Sequence, residues 1–287
     1  MSSSDDVRRQ VSESYARAVT RPGSMGCCSG ASEPAEQKGV VVKFGGYSRE
    51  ELAALPADAV TNSFGCGNPV AFSEIQPGQT VLDLGSGAGI DLFLAADKVG
   101  PTGRVIGVDM TDAMIERARA NAAAGGYHNV EVRKGVIEEL PVEDGSVDWI
   151  ISNCVINLSP DKPRVFAEIA RVLKPGGRML VSDIVASGLP EEVLKDPALY
   201  CSCISGAISL EAYLGGLRAA GLVDVMVRDR LTYDASQLEA FFKSELPEAQ
   251  TCCSSSLSND PAKLREVAVS MVGRIESVRV HARKPAA

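Results

Sequence analysis

The stretch TVLDLGSGAGIDLFLAADKV (80–99) decides the fold. Its first half, Val81 to Leu84, is a short apolar run with a β-rich start. Its second half, Ile90 to Val99, carries an apolar face at helical spacing. Between them Gly85, Gly87 and Gly89 let the backbone turn and approach a ligand at the carboxyl end of the strand. The spacing is Gly-x-Gly-x-Gly, whereas a nicotinamide fingerprint wants glycine or alanine where Ile90 stands. Alone, such a turn fits any nucleotide. Asp109 narrows it: it ends the next strand, RVIGVD (104–109), where a carboxylate can take both hydroxyls of a ribose.

Outward from this unit the alternation continues. A helix from Thr111 to about Ala124 is followed by strands VEVRKG (130–135) and VDWIIS (147–152). The helix PRVFAEIARVL (163–173) is stopped by Lys174-Pro175-Gly176-Gly177, and the strand RMLVSDI (178–184) follows. This order predicts an α/β fold, a doubly wound, mostly parallel sheet with helices on both faces. Upstream, Val7, Val11, Tyr15 and Val19 share one face of a helix that Arg21-Pro22-Gly23 ends. Ser48 and Glu51 form a capping box for a short helix reaching Leu55. Downstream come a helical stretch near 190–202, a helix at Leu210–Ala220, a strand at Leu222–Leu231, and VRVHARK (278–284), which alternates like an edge strand. Residues 22–39 and 249–261 read as flexible segments. The expected organisation is an N-terminal helix and cysteine-bearing loop (1–60), a central domain (61–233), and a C-terminal segment (234–287) adding an edge strand to the same sheet.

Composition excludes several classes. Among 287 residues, 45% are hydrophobic and 23% charged, as in ordinary globular proteins. No apolar run approaches the ~20 residues a bilayer-spanning helix needs. The start, MSSSDD, lacks the basic and apolar regions of a signal peptide, so a cytoplasmic chain is expected. A net charge of -8 argues against a nucleic-acid binder. The two histidines, His128 and His281, leave little room for a histidine-based zinc site or a Ser-His-Asp triad. The eight cysteines are conspicuous: Cys27-Cys28, Cys252-Cys253 and Cys201-Ser202-Cys203 cluster in sequence, and a reduced cytoplasmic chain does not use them as a disulfide scaffold. They point to thiol chemistry or a soft ligand.

From about Gln79 to Leu231 the chain resembles the class I S-adenosylmethionine-dependent methyltransferases. Asp83-Leu84-Gly85-Ser86-Gly87-Ala88-Gly89 is similar to their first motif, and Asp109 to their ribose-binding acid. Gly135-Val136-Ile137-Glu138-Glu139-Leu140 is similar to their adenine-contacting loop, and Lys174-Pro175-Gly176-Gly177 to the turn before their fifth strand. The resemblance implies a Rossmann-like, seven-stranded sheet with S-adenosylmethionine as cofactor. It implies a cofactor set of Asp83, Gly85, Ser86, Gly87, Gly89, Asp109, Met110, Ile137, Glu138 and Asn153.

The cysteines speak to the substrate. Cys66 lies in SFGCGNP (63–69), Cys154 in SNCVINL (152–158) and Cys203 in SCISGA (202–207). Thiolates select soft, thiophilic ions. Trivalent arsenic surrounded by thiolates keeps a lone pair free to attack a sulfonium methyl, and needs no general base. GCGNP, NCVINLSPDK and CISGA together resemble the cysteine motifs of the arsenite methyltransferases. That resemblance implies Cys66, Cys154 and Cys203 as ligands of the arsenic substrate, arsenite or methylarsenite. It also implies Cys27 and Cys28 as a redox-cycling element served by a glutathione- or thioredoxin-type reductant, in a chain expected to be monomeric and to bind neither nucleic acid nor membrane. The chain departs from the family where Phe64 replaces an aromatic hydroxyl before GCG. Cys201, two residues from Cys203, is a second possible ligand, and Cys252-Cys253 has no assured counterpart. Two other readings stay open: a methyltransferase for a small organic acceptor of quinone-precursor type, and a non-catalytic thiol or metal-binding module.

Overall fold

The computed structural model describes residues 4–20, 46–63, 65, 67–194, 200, 203–245 and 261–286. The segments read as flexible, 22–39 and 249–260, lie outside these residues, and Pro261 already begins a helix. The frame is a seven-stranded sheet in the order β3-β2-β1-β4-β5-β7-β6. Its strands are β1 (Thr80–Leu84), β2 (Arg104–Asp109), β3 (Val130–Lys134), β4 (Val147–Asn153), β5 (Leu173–Ala186), β6 (Val223–Thr232) and β7 (Ile275–Arg283). β1 to β5 run parallel, while β7 is antiparallel to both β5 and β6.

Parallel strands buried on both faces read as continuous apolar runs, and β1 does so because its side chains alternate between two cores. Leu82 and Leu84 face one core with Ile150, Phe166 and Tyr213. Val81 faces the other with Phe93, Trp149 and Ile151. Helices α6 (Lys162–Val172) and α8 (Leu210–Ala219) cover the first face. Helices α4 (Ile90–Val99) and α5 (Asp112–Gly125) cover the second. The capping box predicted at Ser48 and Glu51 is formed and opens α2 (Arg49–Ala54), which α3 (Ala57–Thr61) follows.

A third apolar cluster sits over the carboxyl ends of the strands. Val11 of α1 (Ser4–Thr20) joins it, with Cys154, Leu158, Ile184, Cys203 and Ile204. Of the stretch expected to be helical near 190–202, the described part is α7 (Glu191–Leu194), whose Val193 packs here too. Helices α9 (Ala235–Glu245) and α10 (Pro261–Met271) complete this layer, and the sequence reading passes over both. The signal for α10 was present: Leu264, Val267, Ala268 and Met271 recur at helical spacing and are all buried.

The C-terminal strand corrects an expectation. VRVHARK was read as an edge strand, but β7 lies inside the sheet between β5 and β6. Val278, Val280 and Ala282 are fully buried on one face. On the other face His281 packs edge-on against Trp149, with ring centroids 6.5 Å apart. The edge belongs to β6, whose Val223 and Met226 are exposed and whose Asp224, Asp229 and Arg230 suit a strand with one unpaired side.

One polar residue is set deep in this frame. Asp183 on β5 is 1% exposed and accepts hydrogen bonds from the Asn157 amide at 2.8 Å, the Ile184 N–H at 2.9 Å and the Tyr213 hydroxyl at 3.3 Å. Burial outweighs these bonds and pushes its pKa up to about 7. The folded chain therefore holds a proton that the unfolded chain releases near pH ~4. Stability from this group is greatest at low pH and is lost as pH rises from the unfolded value to about 7. Between pH 5 and pH 8 the unfolding free energy from urea titration is expected to drop less in Asp183→Asn than in the parent, by on the order of 1 kcal/mol or more. Equal pH slopes in the two proteins would refute this account.

Candidate active site

The strand order reverses beside β1, and the loops after β1, β2, β3 and β4 leave a cleft at their carboxyl ends. The cleft encloses about 960 Å³, open mouth included. Every residue that the sequence assigned to the cofactor lines it. The first loop turns through left-handed backbone, with φ of 67° at Gly85, 52° at Gly87 and 104° at Gly89. Asp109 ends β2 and holds this loop: one carboxylate oxygen accepts the Gly87 N–H at 3.0 Å, the other the Thr111 N–H at 2.8 Å. Each oxygen keeps a lone pair for a ribose hydroxyl.

The cleft floor is acidic. Asp83 is 2% exposed, and burial, then the nearby carboxylates of Asp91 and Asp109, holds its carboxyl well above the usual range. Burial also raises Asp109, against the backbone hydrogen bonds that lower it, and raises Asp91 to about 6. Such a floor suits a ligand with positive charge. S-adenosylmethionine, with an ammonium and a sulfonium, fits on those grounds.

The N-terminal helix closes one side of the cleft, which the sequence did not reveal. Arg8, Val11 and Tyr15 of α1 line it. The Arg8 guanidinium donates to Glu138 at 3.3 Å, and the Ser159 hydroxyl donates to the same carboxylate at 2.7 Å. The helix end is held by Arg117, which donates to the Val19 carbonyl at 2.5 Å and pairs with Asp58.

Two candidate cysteines meet beside the cleft, which Cys154 lines. Cys154 follows β4 and Cys203 follows β5, 49 residues apart, yet the Cys203 thiol donates to the Cys154 carbonyl at 2.7 Å. The Cys154 N–H donates to the Ser182 carbonyl at 2.8 Å, anchoring it to β5. The Tyr200 hydroxyl donates to the Leu158 carbonyl, and Gly206 lies so close to the Asn157 carbonyl that a Cβ would stand 2.3 Å from it. The glycine of CISGA is thus a packing requirement. Cys154 and Cys203 are 5% and 3% exposed and have φ of 59° and 65°. Among the described residues Asp224 is the only other non-glycine with positive φ. Strained backbone of this kind persists where surrounding structure holds it, and it concentrates at functional sites. Cys203 forms no disulfide, whereas Cys154 is disulfide-bonded.

Cys66 itself lies outside the described residues, but its neighbours do not. Gly65 and Gly67 pack against Asn153 and Ser182: a Cβ on Gly65 would stand 2.2 Å from the Asn153 amide nitrogen, and one on Gly67 2.5 Å from the Ser182 hydroxyl. Asn153, read as a cofactor residue, does line the cleft, but its amide bonds to Gly67, Tyr47 and Asp91. Tyr47, Asp91 and Tyr200 were missed in the sequence because each acts through a partner remote in the chain, whereas Lys162 acts on carbonyls only three and five residues away. Lys162 closes NCVINLSPDK by donating to the Asn157 and Ser159 carbonyls at 3.2 and 3.0 Å. Burial lowers its pKa, against the pull of Asp183, Cys203 and Glu138. Cys27, Cys28, Phe64, Cys201, Cys252 and Cys253 all lie outside the described residues.

Comparison with known proteins agrees with this geometry. The family described as a methyltransferase domain matches residues 75–243. The arsenite methyltransferase of Halobacterium salinarum is 43% identical over 251 residues, 82% of this chain and 63% of that protein. That of Homo sapiens is 37% identical over 175 residues, 56% of this chain and 45% of that protein. The crystal structure of an arsenic(III) S-adenosylmethionine methyltransferase from Chlamydomonas reinhardtii matches with a TM-score of 0.64 at 34% identity, covering 83% of this chain and 72% of that one. The chain spans less than two thirds of the length of the curated relatives it matches. With the glycine turn, the acidic cleft and the paired cysteine loops in place, the chain belongs to the arsenic(III) S-adenosylmethionine methyltransferases, within the wider methyltransferase-domain family.

Proposed function

We propose that this chain methylates trivalent arsenic, as arsenite and as methylated arsenicals, using S-adenosylmethionine. The observation that carries the reading is the meeting of Cys154 and Cys203, buried and backbone-strained, beside an acidic cleft. Cys66, Cys154 and Cys203 are the thiolates that hold arsenic, and its lone pair is the nucleophile. Bound S-adenosylmethionine supplies an electrophilic methyl group on a sulfonium. Gly85, Ser86, Gly87 and Gly89 bring backbone close to its methionine portion. Asp109 accepts from the ribose hydroxyls, and Met110, Ile137 and Glu138 border the adenine. The apolar surroundings of the cysteines, Leu158, Ile184 and Ile204 among them, exclude water from the thiolates.

The Cys154 disulfide must be opened before the Cys154 sulfur can bind arsenic. An external thiol does this by exchange: its thiolate attacks one sulfur, and a second thiol releases the mixed disulfide. Cys27 and Cys28 take part in the same redox cycle. No described helix is long and apolar enough to cross a membrane.

Three outcomes test this reading. Asp109→Ala should weaken S-adenosylmethionine binding by about 1.5–3 kcal/mol for each ribose hydrogen bond lost, while calorimetry shows arsenite binding nearly intact. Unchanged cofactor affinity would refute the assignment. Cys154→Ser keeps size and loses the soft donor. Turnover of arsenite, followed by arsenic speciation, should fall beyond the ~10–100-fold that loss of a mere outer partner of a ligand causes. Retained turnover of arsenite by a folded Cys154→Ser protein would refute the ligand role of Cys154. Changing both Cys27 and Cys28 to Ser should slow methylation of arsenite more than of a monomethylated trivalent substrate, which needs fewer thiolates. Equal rates with both substrates would make that pair a passive linker.

A further inference from the structure

We propose that Asn153, oriented by Tyr47 and Asp91, is a positioning residue that ties the Gly67 peptide to the end of β4 and so sets how Cys66 and Cys154, the covalent neighbours of these two residues, share one arsenic atom. The proposal rests on the reading of these cysteines as arsenic ligands and deepens it. Asn153 is the last residue of β4 and the covalent neighbour of Cys154. Its side chain forms a two-point pair with the Gly67 peptide: the amide nitrogen donates to the Gly67 carbonyl at 2.5 Å, and the amide oxygen accepts the Gly67 N–H at 3.0 Å. Gly67 is the covalent neighbour of Cys66. One side chain therefore ties together the residues next to both cysteines.

The amide works only one way round. Its second hydrogen is shared between Asp91 at 3.0 Å and the Tyr47 hydroxyl at 2.9 Å, while that hydroxyl donates to the other Asp91 oxygen at 2.8 Å. A flipped amide would turn its oxygen towards a carboxylate and reverse both bonds to Gly67. Asp91 and Tyr47 thus select the orientation that matches the Gly67 peptide. Ser182 is the second support. Its carbonyl accepts the Cys154 N–H, and its side chain lies where a Cβ on Gly67 would have to sit. Gly67 and Cys154 rest on the same two residues. Two thiolates closing on one atom act at an effective concentration set by how far their backbones can drift apart. The Asn153 clamp limits that drift.

The test uses the full chain with Asn153→Ala and, as a change of one hydroxyl that spares the fold, Tyr47→Phe. Three quantities are read: arsenite affinity, S-adenosylmethionine affinity, and the glutathione ratio at which Cys154 is half oxidised, by alkylation and mass spectrometry. Asn153→Ala is expected to weaken arsenite binding about tenfold or more, the scale of one buried hydrogen bond to a charged group, with cofactor affinity within about twofold. The same mass spectra identify the partner of Cys154, and a Cys66–Cys154 disulfide should shift towards free thiols by a similar factor, because opposing the two sulfurs then costs more ordering. Tyr47→Phe should move both quantities in the same direction by less. Loss of cofactor affinity with arsenite binding and the disulfide unchanged would make Asn153 a cofactor ligand and overturn the proposal, as would no change in any quantity. If the parent binds no arsenite, the functional reading fails, while the disulfide equilibrium still tests the clamp.

Discussion

The parallel pairing of β1 with β4, Leu84 opposite Ser152, is the constraint on which the rest of the molecule depends. β1 also pairs with β2, so the chain leaves the sheet in opposite directions on either side of it. A crevice opens at such a reversal, outside the carboxyl ends of the strands. Gly85 follows β1 and Cys154 follows β4, so the glycine turn and the first described cysteine emerge side by side. Their contact is tight: a Cβ on Gly85 would stand 2.5 Å from Val155. Cofactor loop and thiol loop are two halves of one packed surface.

The same crevice combines two environments that water would equalise. Asp83, Asp91 and Asp109 are buried together, and each is raised above the ordinary carboxylate range by burial, so the floor favours cationic ligands. Next to it Cys154 and Cys203 lie among Leu158, Ile184 and Ile204, where a thiolate has few competing partners. The left-handed backbone at both cysteines shows what holds them. Neither position favours a residue with a Cβ, and each persists because a hydrogen bond crosses between their loops. Removing one loop would relax the other.

Elements remote in the chain finish the site. Helix α1 brings Arg8 to Glu138, and α9 and α10 bury the cysteine cluster from the C-terminal side. The site therefore draws on residues from near both ends of the described chain, although its motifs lie between Gly65 and Gly206.

The sequence by itself determined the order of strands and helices, the glycine turn, the acid at Asp109 and the three cysteine motifs. Each is a local pattern: apolar periodicity, a backbone that needs glycine, or a thiol in a short run of recognisable neighbours. It also held the helical spacing of Leu264, Val267, Ala268 and Met271. Only the tertiary structure decided that β7 is interior, because alternation reports one covered face and cannot show that His281 meets Trp149 on the other. Only the tertiary structure turned Asn153 from a cleft-lining amide into a clamp on Gly67. Tyr47, Asp91 and Gly67 are far from Asn153 in sequence, and hydrogen bonds between side chains so separated leave no period or spacing to read. Local patterns specify which atoms a chain has to offer, and the packing of distant elements specifies which of them face each other.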